Sequence, residues 1–210
     1  MGKNILVLGA TGHLGKVLTK TLLSKNYTVT ALVRNPEKFD SSCSKVKIII
    51  GSVMGENDLR KSLDNIDAVI SVLGHGFRTK YPIQEIVMKI LIPLMERKGI
   101  KRLITITGEG LFVSTDKKSL RADITSDLLK LIDPYRMNDA VAQQRIIEKS
   151  SLDWTVVRTP IHTNKGPKKA LHVGIAHPPI WKTINRMAVC EFICECLERE
   201  LWIRQSPIIY

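Results

Sequence analysis

At 210 residues the chain is long enough to bury a sizeable core, and one domain spanning residues 1–210 is the default expectation. No apolar run approaches the ~20 residues of a membrane span, which predicts no membrane association. The net charge of +12 fits an anionic cofactor, an anionic substrate, a lysine-rich surface or a nucleic acid. The basic residues are scattered, and no aromatic residues interleave with them as a stacking surface requires, which disfavours nucleic acid.

The cysteines indicate reduced thiols. Three of the four crowd one segment, at Cys190, Cys194 and Cys196, while Cys43 stands apart. They lack paired C-x-x-C spacing and have no histidine close by in sequence, which predicts neither a metal site nor a disulfide framework. The N-terminus leads directly into an apolar strand rather than a signal peptide, so we expect a cytoplasmic protein.

The first predicted element is a buried strand, residues 5–8, that leads into a glycine-rich loop. Four apolar residues then recur at helical spacing: Leu14, Val17, Leu18 and Leu22. Glycines spaced in this way between a strand and a helix are typical of dinucleotide-binding loops, where the phosphates meet free N–H groups and the positive end of the helix dipole. The predicted pyrophosphate loop comprises Gly9, Ala10, Thr11, Gly12, His13, Leu14 and Gly15.

Strands and helices alternate along the following chain. Further strands are predicted at residues 27–33, 46–50, 67–73, 102–107 and 154–158, with short ones at 171–175 and 207–210. Helices are predicted at residues 56–63, 82–99, 125–132, 138–150 and 184–200. The alternation predicts an α/β Rossmann fold: a doubly wound parallel sheet flanked by helices, with a small C-terminal substrate-side region that is loop-rich over residues 159–183.

The end of the second strand indicates the choice of dinucleotide. NAD-binding folds carry an acidic residue about 20 residues after the glycines, where it binds the ribose 2′-hydroxyl. Here Arg34 occupies the strand tip and Lys38 follows shortly after. Because a guanidinium pairs with a phosphate and stacks on an adenine, we expect NADP(H) in preference to NAD(H).

Ligands in such sheets lie beyond the carboxyl ends of the strands. Gly51, Ser52 and Val53 follow the third strand and are expected beside the adenine. Leu73 and Gly74 close the fourth strand and are expected along the ribose and nicotinamide. His75, between two glycines, is assigned no role.

The chain resembles the atypical short-chain dehydrogenase/reductases over nearly its whole length. The resemblance rests on residues 9–15 (GATGHLG), 33–36 (VRNP), 67–70 (DAVI), 151–158 (SLDWTVVR) and 184–186 (INR). By pattern it is most similar to the NmrA-like regulators and to the biliverdin reductase B/flavin reductase group. The resemblance implies a dinucleotide-binding protein that is a monomer or a small homo-oligomer.

Several positions depart from the family pattern. Members with a Tyr-x-x-x-Lys pair use the tyrosine as a general acid, but Tyr135 is followed four residues later by Asp139. The serine often found at the end of the fifth strand is Thr107, and the proline that usually follows the sixth strand directly is delayed to Pro160. The resemblance places Thr107 and Pro160 against the cofactor and carries over no proton-transfer pair.

Flavins and quinones accept hydride without a dedicated Tyr/Lys acid, because the cofactor supplies the chemistry. The sequence therefore predicts an NADPH-dependent oxidoreductase with a small-molecule acceptor such as a flavin or quinone, and Thr107, Tyr135 and His162 are the candidate catalytic residues. Glu109 is placed near the pocket mouth without catalytic duty. The alternative is a non-catalytic NADP(H)-binding regulator of the NmrA-like kind.

Overall fold

The computed structural model describes residues 2–39, 45–74, 81–111, 113, 116, 133–178 and 182–210. Its strands are β1 Asn4–Leu8, β2 Thr28–Val33, β3 Lys47–Ile50, β4 Ala68–Ser71, β5 Arg102–Gly108, β6 Asp153–Thr159, β7 Ile161–Thr163, β8 Val173–Gly174, β9 Thr183–Asn185 and β10 Ile208–Ile209. Its α-helices are α1 His13–Ser24, α2 Glu56–Ser62, α3 Ile83–Arg97, α4 Pro134–Glu148 and α5 Arg186–Glu198. The helix predicted at residues 125–132 falls outside the described residues, as do His75 and Cys43.

The main sheet has the strand order β3-β2-β1-β4-β5-β6-β10-β8. All its neighbours are parallel except β8, which runs antiparallel to β10. The order reverses between β1 and β4, which is the position where doubly wound sheets bind their ligands. The predicted Rossmann fold is thus confirmed.

Two helical layers cover the sheet. One apolar cluster packs α1 and α5 against one face, and a second packs α2, α3 and α4 against the other. The stripe that predicted α1 is buried as expected, since Leu14, Leu18 and Leu22 all lie in the first cluster. Among the described helices, none combines the length and apolarity that crossing a membrane would demand.

The region after β6 differs from the prediction. Residues 161–163 and 183–185, expected as loop and helix, form a separate two-stranded parallel sheet of β7 and β9. The final helix therefore begins at Arg186 rather than at residue 184. Asn185 keeps an extended backbone because its side chain accepts a hydrogen bond from the N–H of Met187 and caps α5.

Candidate functional site

The glycine loop forms a tight turn between β1 and α1. Gly9 has a φ of +86°, and a Cβ there would lie 2.8 Å from the carbonyl oxygen of Val72 at the end of β4. The N–H of Gly12 closes the turn on the carbonyl oxygen of Gly9 over 3.0 Å. The turn thus requires glycine at position 9 both for its backbone conformation and for its contact with the neighbouring strand.

Gly15 allows the first turn of α1 to pack against this loop. A Cβ on Gly15 would clash with the carbonyl oxygen of Gly9 and would lie 2.8 Å from the Cα of Ala10. Leu14 is buried in the core, whereas Gly12 and His13 are exposed and Thr11 is half-buried. The loop therefore presents its outer surface at the carboxyl edge of the sheet.

The N-terminus of α1 is open to a ligand. Gly12 is its N-cap and has no side chain to occupy the first-turn N–H groups, and no acidic residue lies in that turn. Such N–H groups lack partners within a helix and carry the positive end of its dipole. The residues present therefore fit a dinucleotide pyrophosphate.

Arg34 and Lys38 stand at the end of β2, on the same edge of the sheet. Both are exposed, and none of the residues that the structure describes forms an ion pair with either. Asn35 directs its side chain to the N–H of Glu37 at the start of a 3₁₀ turn, Pro36–Lys38. Arg34 thus offers an uncompensated cation beside the predicted adenosine position.

The loop after β3 is held by a carboxylate that the sequence reasoning did not single out. The N–H of Ser52 donates to Asp58 Oδ2 over 2.9 Å, and Gly51 is bonded to the carbonyl of Val33 over 3.0 Å. A Cβ on Gly51 would meet the Cγ of Asp58 at 2.6 Å, so glycine is needed there, and Val53 is buried beneath. Asp58 lies in the first turn of α2, where acidic residues are favoured, and this position was the signal available in the sequence.

Leu73 lies directly beside the glycine loop. Its N would be 3.1 Å from a Cβ on Gly9, and its carbonyl oxygen accepts a hydrogen bond from Gln84 Nε2 over 3.0 Å. Gly74 is exposed, and apart from its chain neighbours no described residue has an atom within 4 Å of where its Cβ would be. The structure therefore brings the ends of β1 and β4 together, as the predicted ribose and nicotinamide positions require.

Four more polar residues lie at this edge: Thr107 and Glu109 at the end of β5, and Thr159 and His162 at and just after the end of β6. Gly108 pairs with Thr159 in the ladder, and the next N–H, that of Glu109, donates to the carbonyl oxygen of Thr159 over 3.0 Å. The Thr159 hydroxyl lies 2.7 Å from His162 Nε2. Thr107 is buried two residues before Glu109, and Pro160 is buried between β6 and β7.

Burial shifts the two titratable groups of this cluster in opposite directions. Desolvation raises the pKa of Glu109 to about 7. Desolvation, together with the positive charge of Arg186, lowers the pKa of His162 to about 4. Near neutral pH the imidazole is therefore uncharged, while the carboxyl group retains a proton for much of the time.

Tyr135 and Asp139 occupy one face of α4 but do not form a catalytic pair. The Tyr135 side chain is exposed in the first turn. Asp139 is buried, and its carboxylate accepts hydrogen bonds from the N–H groups of Gln84 (2.9 Å) and Glu85 (2.8 Å) at the start of α3. Sequence reasoning noted only that Asp139 is not a lysine, because its partners lie more than 50 residues away.

A buried ion pair borders the site on β6. The Arg158 guanidinium is fully buried and donates to both carboxylate oxygens of Asp116, to the carbonyl of Leu111 and to that of Ser206. His177 Nε2 lies 3.2 Å from Asp116 Oδ2. Burial opposes ionisation of Asp116, but the hydrogen bonds from His177 and Arg158 outweigh it and hold its pKa well below the usual range.

Together, the doubly wound sheet and the open glycine turn at its switch point define a dinucleotide-binding protein of the Rossmann class. A family model described as NAD(P)H-binding matches residues 9–200, and the chain belongs to this family. The predicted NAD(P)-binding family is thereby confirmed. Within the described ranges, no group of histidines, cysteines or acids is arranged to hold a metal ion.

Solved structures share the fold over the whole chain. A short-chain dehydrogenase/reductase from Veillonella parvula in complex with NADP superposes with a TM-score of 0.80 at 21% identity, over 100% of this chain and 94% of that one. ChuY, an anaerobilin reductase from Escherichia coli O157:H7, superposes with a TM-score of 0.77 at 18% identity, over 98% and 96%. At these identities the likeness shows the fold.

Sequence relatives match a shorter span. The probable pinoresinol-lariciresinol reductase 3 of Arabidopsis thaliana is 30% identical over 105 residues, which cover 48% of this chain and 32% of that protein. The phenylcoumaran benzylic ether reductase Pyrc5 of Pyrus communis is 31% identical over 81 residues, covering 34% and 26%. The chain thus matches only 32% and 26% of the lengths of these two relatives.

Proposed function

We propose that the protein is an NADPH-dependent oxidoreductase that transfers hydride to a flavin, a quinone or a similar acceptor. The observation that carries this proposal is the open N-terminus of α1 beside Arg34 at one edge of the sheet. The N–H groups suit a pyrophosphate, and the unpaired guanidinium suits the 2′-phosphate that distinguishes NADP from NAD. The reductases among the sequence relatives and the NADP complex of the Veillonella protein support it.

The residues at the end of β5 suit an acceptor whose reduction needs little from the protein beyond correct orientation against the nicotinamide. Thr107 is buried at the strand end and is our candidate for a hydrogen bond near the nicotinamide. Tyr135 is a weaker candidate, because its ring is exposed and no lysine accompanies it. His162 is uncharged near neutral pH and lies against the Thr159 hydroxyl, which favours a positioning role.

The segment after β6 favours an acceptor that carries an anionic group. Between Arg158 and Glu191 the chain has no acidic residue and has five cations: Lys165, Lys168, Lys169, Lys182 and Arg186. Arg186 donates to Asn164 Oδ1 and to the carbonyl of His162, and it pairs with no carboxylate among the described residues. An uncompensated guanidinium near the substrate side of the sheet would attract a phosphate or carboxylate.

The direct test is oxidation of NADPH against a panel of flavins and quinones that includes FMN and riboflavin. The two flavins share the reacting ring, but only FMN carries a phosphate. We expect turnover with NADPH, weaker turnover with NADH, and a higher kcat/KM for FMN than for riboflavin. Absence of turnover with every acceptor, despite measurable NADPH binding, would contradict the enzyme proposal.

The alternative is a non-catalytic regulator that senses the NADP redox state. The specific observation that favours it is the structural use of Asp139: four residues after Tyr135, this carboxylate holds the start of α3 and no lysine stands in its place. Such a protein binds NADP⁺ and NADPH with different affinities and turns over neither. Calorimetric titration with each form, alongside the acceptor panel, separates the two functions.

A further inference from the structure

Glu109 holds a carboxyl group at the centre of the carboxyl edge of the sheet. It follows β5 directly, two residues after Thr107, and its N–H is fixed to the carbonyl oxygen of Thr159 at the end of β6. The backbone at this point is therefore anchored to the neighbouring strand. The same edge carries the glycine turn and Leu73, so Glu109 lies on the side of the sheet where a bound dinucleotide would present its nicotinamide.

The side chain of Glu109 has an unused hydrogen-bonding group. Its Oε2 atom is buried, and none of the residues that the structure describes forms a hydrogen bond with it. A buried carboxyl oxygen without a partner costs free energy in a fold that has no use for it. An orphaned acid of this kind at a ligand-binding edge indicates a group held ready for a ligand.

The surrounding charges do not explain the state of this acid. The charged or titratable groups described around the ends of β5 and β6 are Arg158 and Asp116, which neutralise each other, His177 beside Asp116, His162 on β7, and Arg186 at the start of α5. Burial alone raises the pKa of Glu109, and none of these charged groups contributes to the change in pKa. At a pH where Glu109 is still partly protonated the His162 imidazole is neutral, so of these two side chains only Glu109 is in its acid form near pH 7.

We propose that the Glu109 carboxyl group is the proton donor to the acceptor, a role that rests on the reductase function proposed above. The acceptor takes a hydride from the reduced dinucleotide, which leaves oxidised, and a proton from the Glu109 carboxyl group, which becomes a carboxylate. A proton from water then restores the acid. For a quinone the two transfers yield the hydroquinone, so charge and atoms balance.

The test compares wild type with Glu109→Gln in NADPH oxidation with menadione. Glutamine keeps the shape of the protonated acid and has no such proton to give. We expect kcat to fall about 100-fold or more, as for loss of a general acid, while the Kd for NADP⁺ stays within about twofold. Wild-type kcat should decline above pH about 7, and the variant should lack this decline.

Two further variants control the comparison. Glu195→Gln removes an exposed carboxylate of α5 and should behave as wild type. Glu109→Asp retains an acid on a shorter side chain, so its kcat should be reduced but should still decline as the pH rises. This variant also replaces Glu109→Gln in the test if the glutamine protein folds poorly. A Glu109→Gln protein that folds and retains wild-type kcat and pH dependence overturns the proposal.

A measurement without turnover completes the test. The ¹³C carboxyl resonance of Glu109, assigned by its loss in Glu109→Gln, should titrate near pH 7 in the NADP⁺-bound protein. Titration near the value of an exposed glutamate overturns the proton-donor role even if the enzyme is active. Absence of NADPH oxidation by wild type overturns the reductase function and the role of Glu109 with it.

Discussion

Asp139 of α4 accepts a hydrogen bond from the backbone N–H of Gln84, the second residue of α3, over 2.9 Å. Its second carboxylate oxygen accepts from the next N–H, so one buried side chain closes the end of a helix from another element. The Gln84 side chain in turn reaches the carbonyl of Leu73 at the end of β4. Asp139 thus joins α4 to the start of α3, and Gln84 joins α3 to the end of β4.

Replacing Asp139, which caps α3, should destabilise the protein without affecting its affinity for the dinucleotide. In Asp139→Asn the amide can accept only one of the two N–H groups and turns its own N–H₂ toward the other. We expect a loss of about 2 kcal/mol in the free energy of unfolding, measured in urea. Asp133→Asn, at the exposed N-cap of α4, is the control and should cost a few tenths, because asparagine caps equally well. Equal losses for the two variants would show that the long-range cap is unimportant.

Two glycines of the loop should separate folding from binding. Gly15→Ala forces a methyl group into the backbone of Gly9, so we expect a strongly lowered melting temperature. Gly12→Ala has an allowed φ of −72°, and its Cβ would make a tight 3.2 Å contact with the Gly9 carbonyl oxygen that a small backbone shift relieves, so the fold should survive with a small loss of stability. Its methyl group would obstruct the phosphate approach and weaken NADP⁺ binding at least about tenfold, measured by calorimetry. Unchanged affinity in a folded Gly12→Ala protein would contradict the proposed binding surface.

Arg34→Asp tests the preference for NADPH. Reversing the charge removes the charge-assisted pair with a 2′-phosphate, so NADPH should bind at least about tenfold more weakly while NADH binding is spared. Arg145→Asp, an exposed reversal on α4, is the matched control for the change in net charge. If both nucleotides lose affinity equally in Arg34→Asp, the guanidinium does not recognise the phosphate.

The Arg158–Asp116 pair should dominate stability near the substrate side. Asp116→Asn leaves a fully buried guanidinium without its counter-charge, which should cost about 3 kcal/mol in the free energy of unfolding. Because the pKa of Asp116 is depressed in the folded state, its contribution is present above the ordinary aspartate pKa and is lost as the pH falls through the lower folded value. In denaturant titrations at several acidic pH values, the free energy of unfolding should fall less steeply with decreasing pH in Asp116→Asn than in wild type.

The ionisation of Glu109 should also make the stability of the protein depend on pH. Its folded pKa of about 7 lies above the ordinary glutamate value of 4.5, so the folded state binds the extra proton between these values. The contribution of Glu109 should therefore be lost as the pH rises from about 4.5 to about 7, by about 2 kcal/mol after allowance for solvent screening. Because the lowered pKa of His162 adds stability over an overlapping pH range, the loss is measured as the difference between wild type and Glu109→Gln at each pH. Glu109→Gln should lack this loss and be the more stable protein at pH 8. A stability difference between wild type and Glu109→Gln that is the same at pH 5 and at pH 8 would contradict the burial of this acid.

Patterns along the sequence were sufficient for elements with an apolar stripe or run. The patterns of β1 and β5 predicted those strands to within one residue at either end, and the apolar stripe predicted the buried face of α1, because local periodicity reports which face is buried. The start of α4 was missed by one turn, since residues 134–138 have no such stripe. Asp133 followed by Pro134 was the usable signal: the aspartate accepts from the N–H of Arg136, and proline suits the first helical position.

The rest of the site depends on contacts between distant residues. Asp58 and Asp139 were visible as acids, but only the folded chain shows which N–H groups they satisfy. The burial of Glu109 depends on how the ends of β5 and β6 are covered. The strands β7 and β9 are only three residues long, too short to establish an alternating pattern.

The thiols of α5 have a consequence for how the protein withstands oxidants. Cys190, Cys194 and Cys196 are all buried, and desolvation raises the pKa of Cys194 and of Cys196 to about 12. At pH 7 only about one thiol in 10⁵ at either site is a thiolate, the form that peroxides attack. These sulfurs serve as packing atoms, so maleimide or peroxide should leave α5 intact under conditions that oxidise an ordinary sensor cysteine. In an oxidising cell, α5 would keep its place on the sheet while the NADPH pool was being consumed.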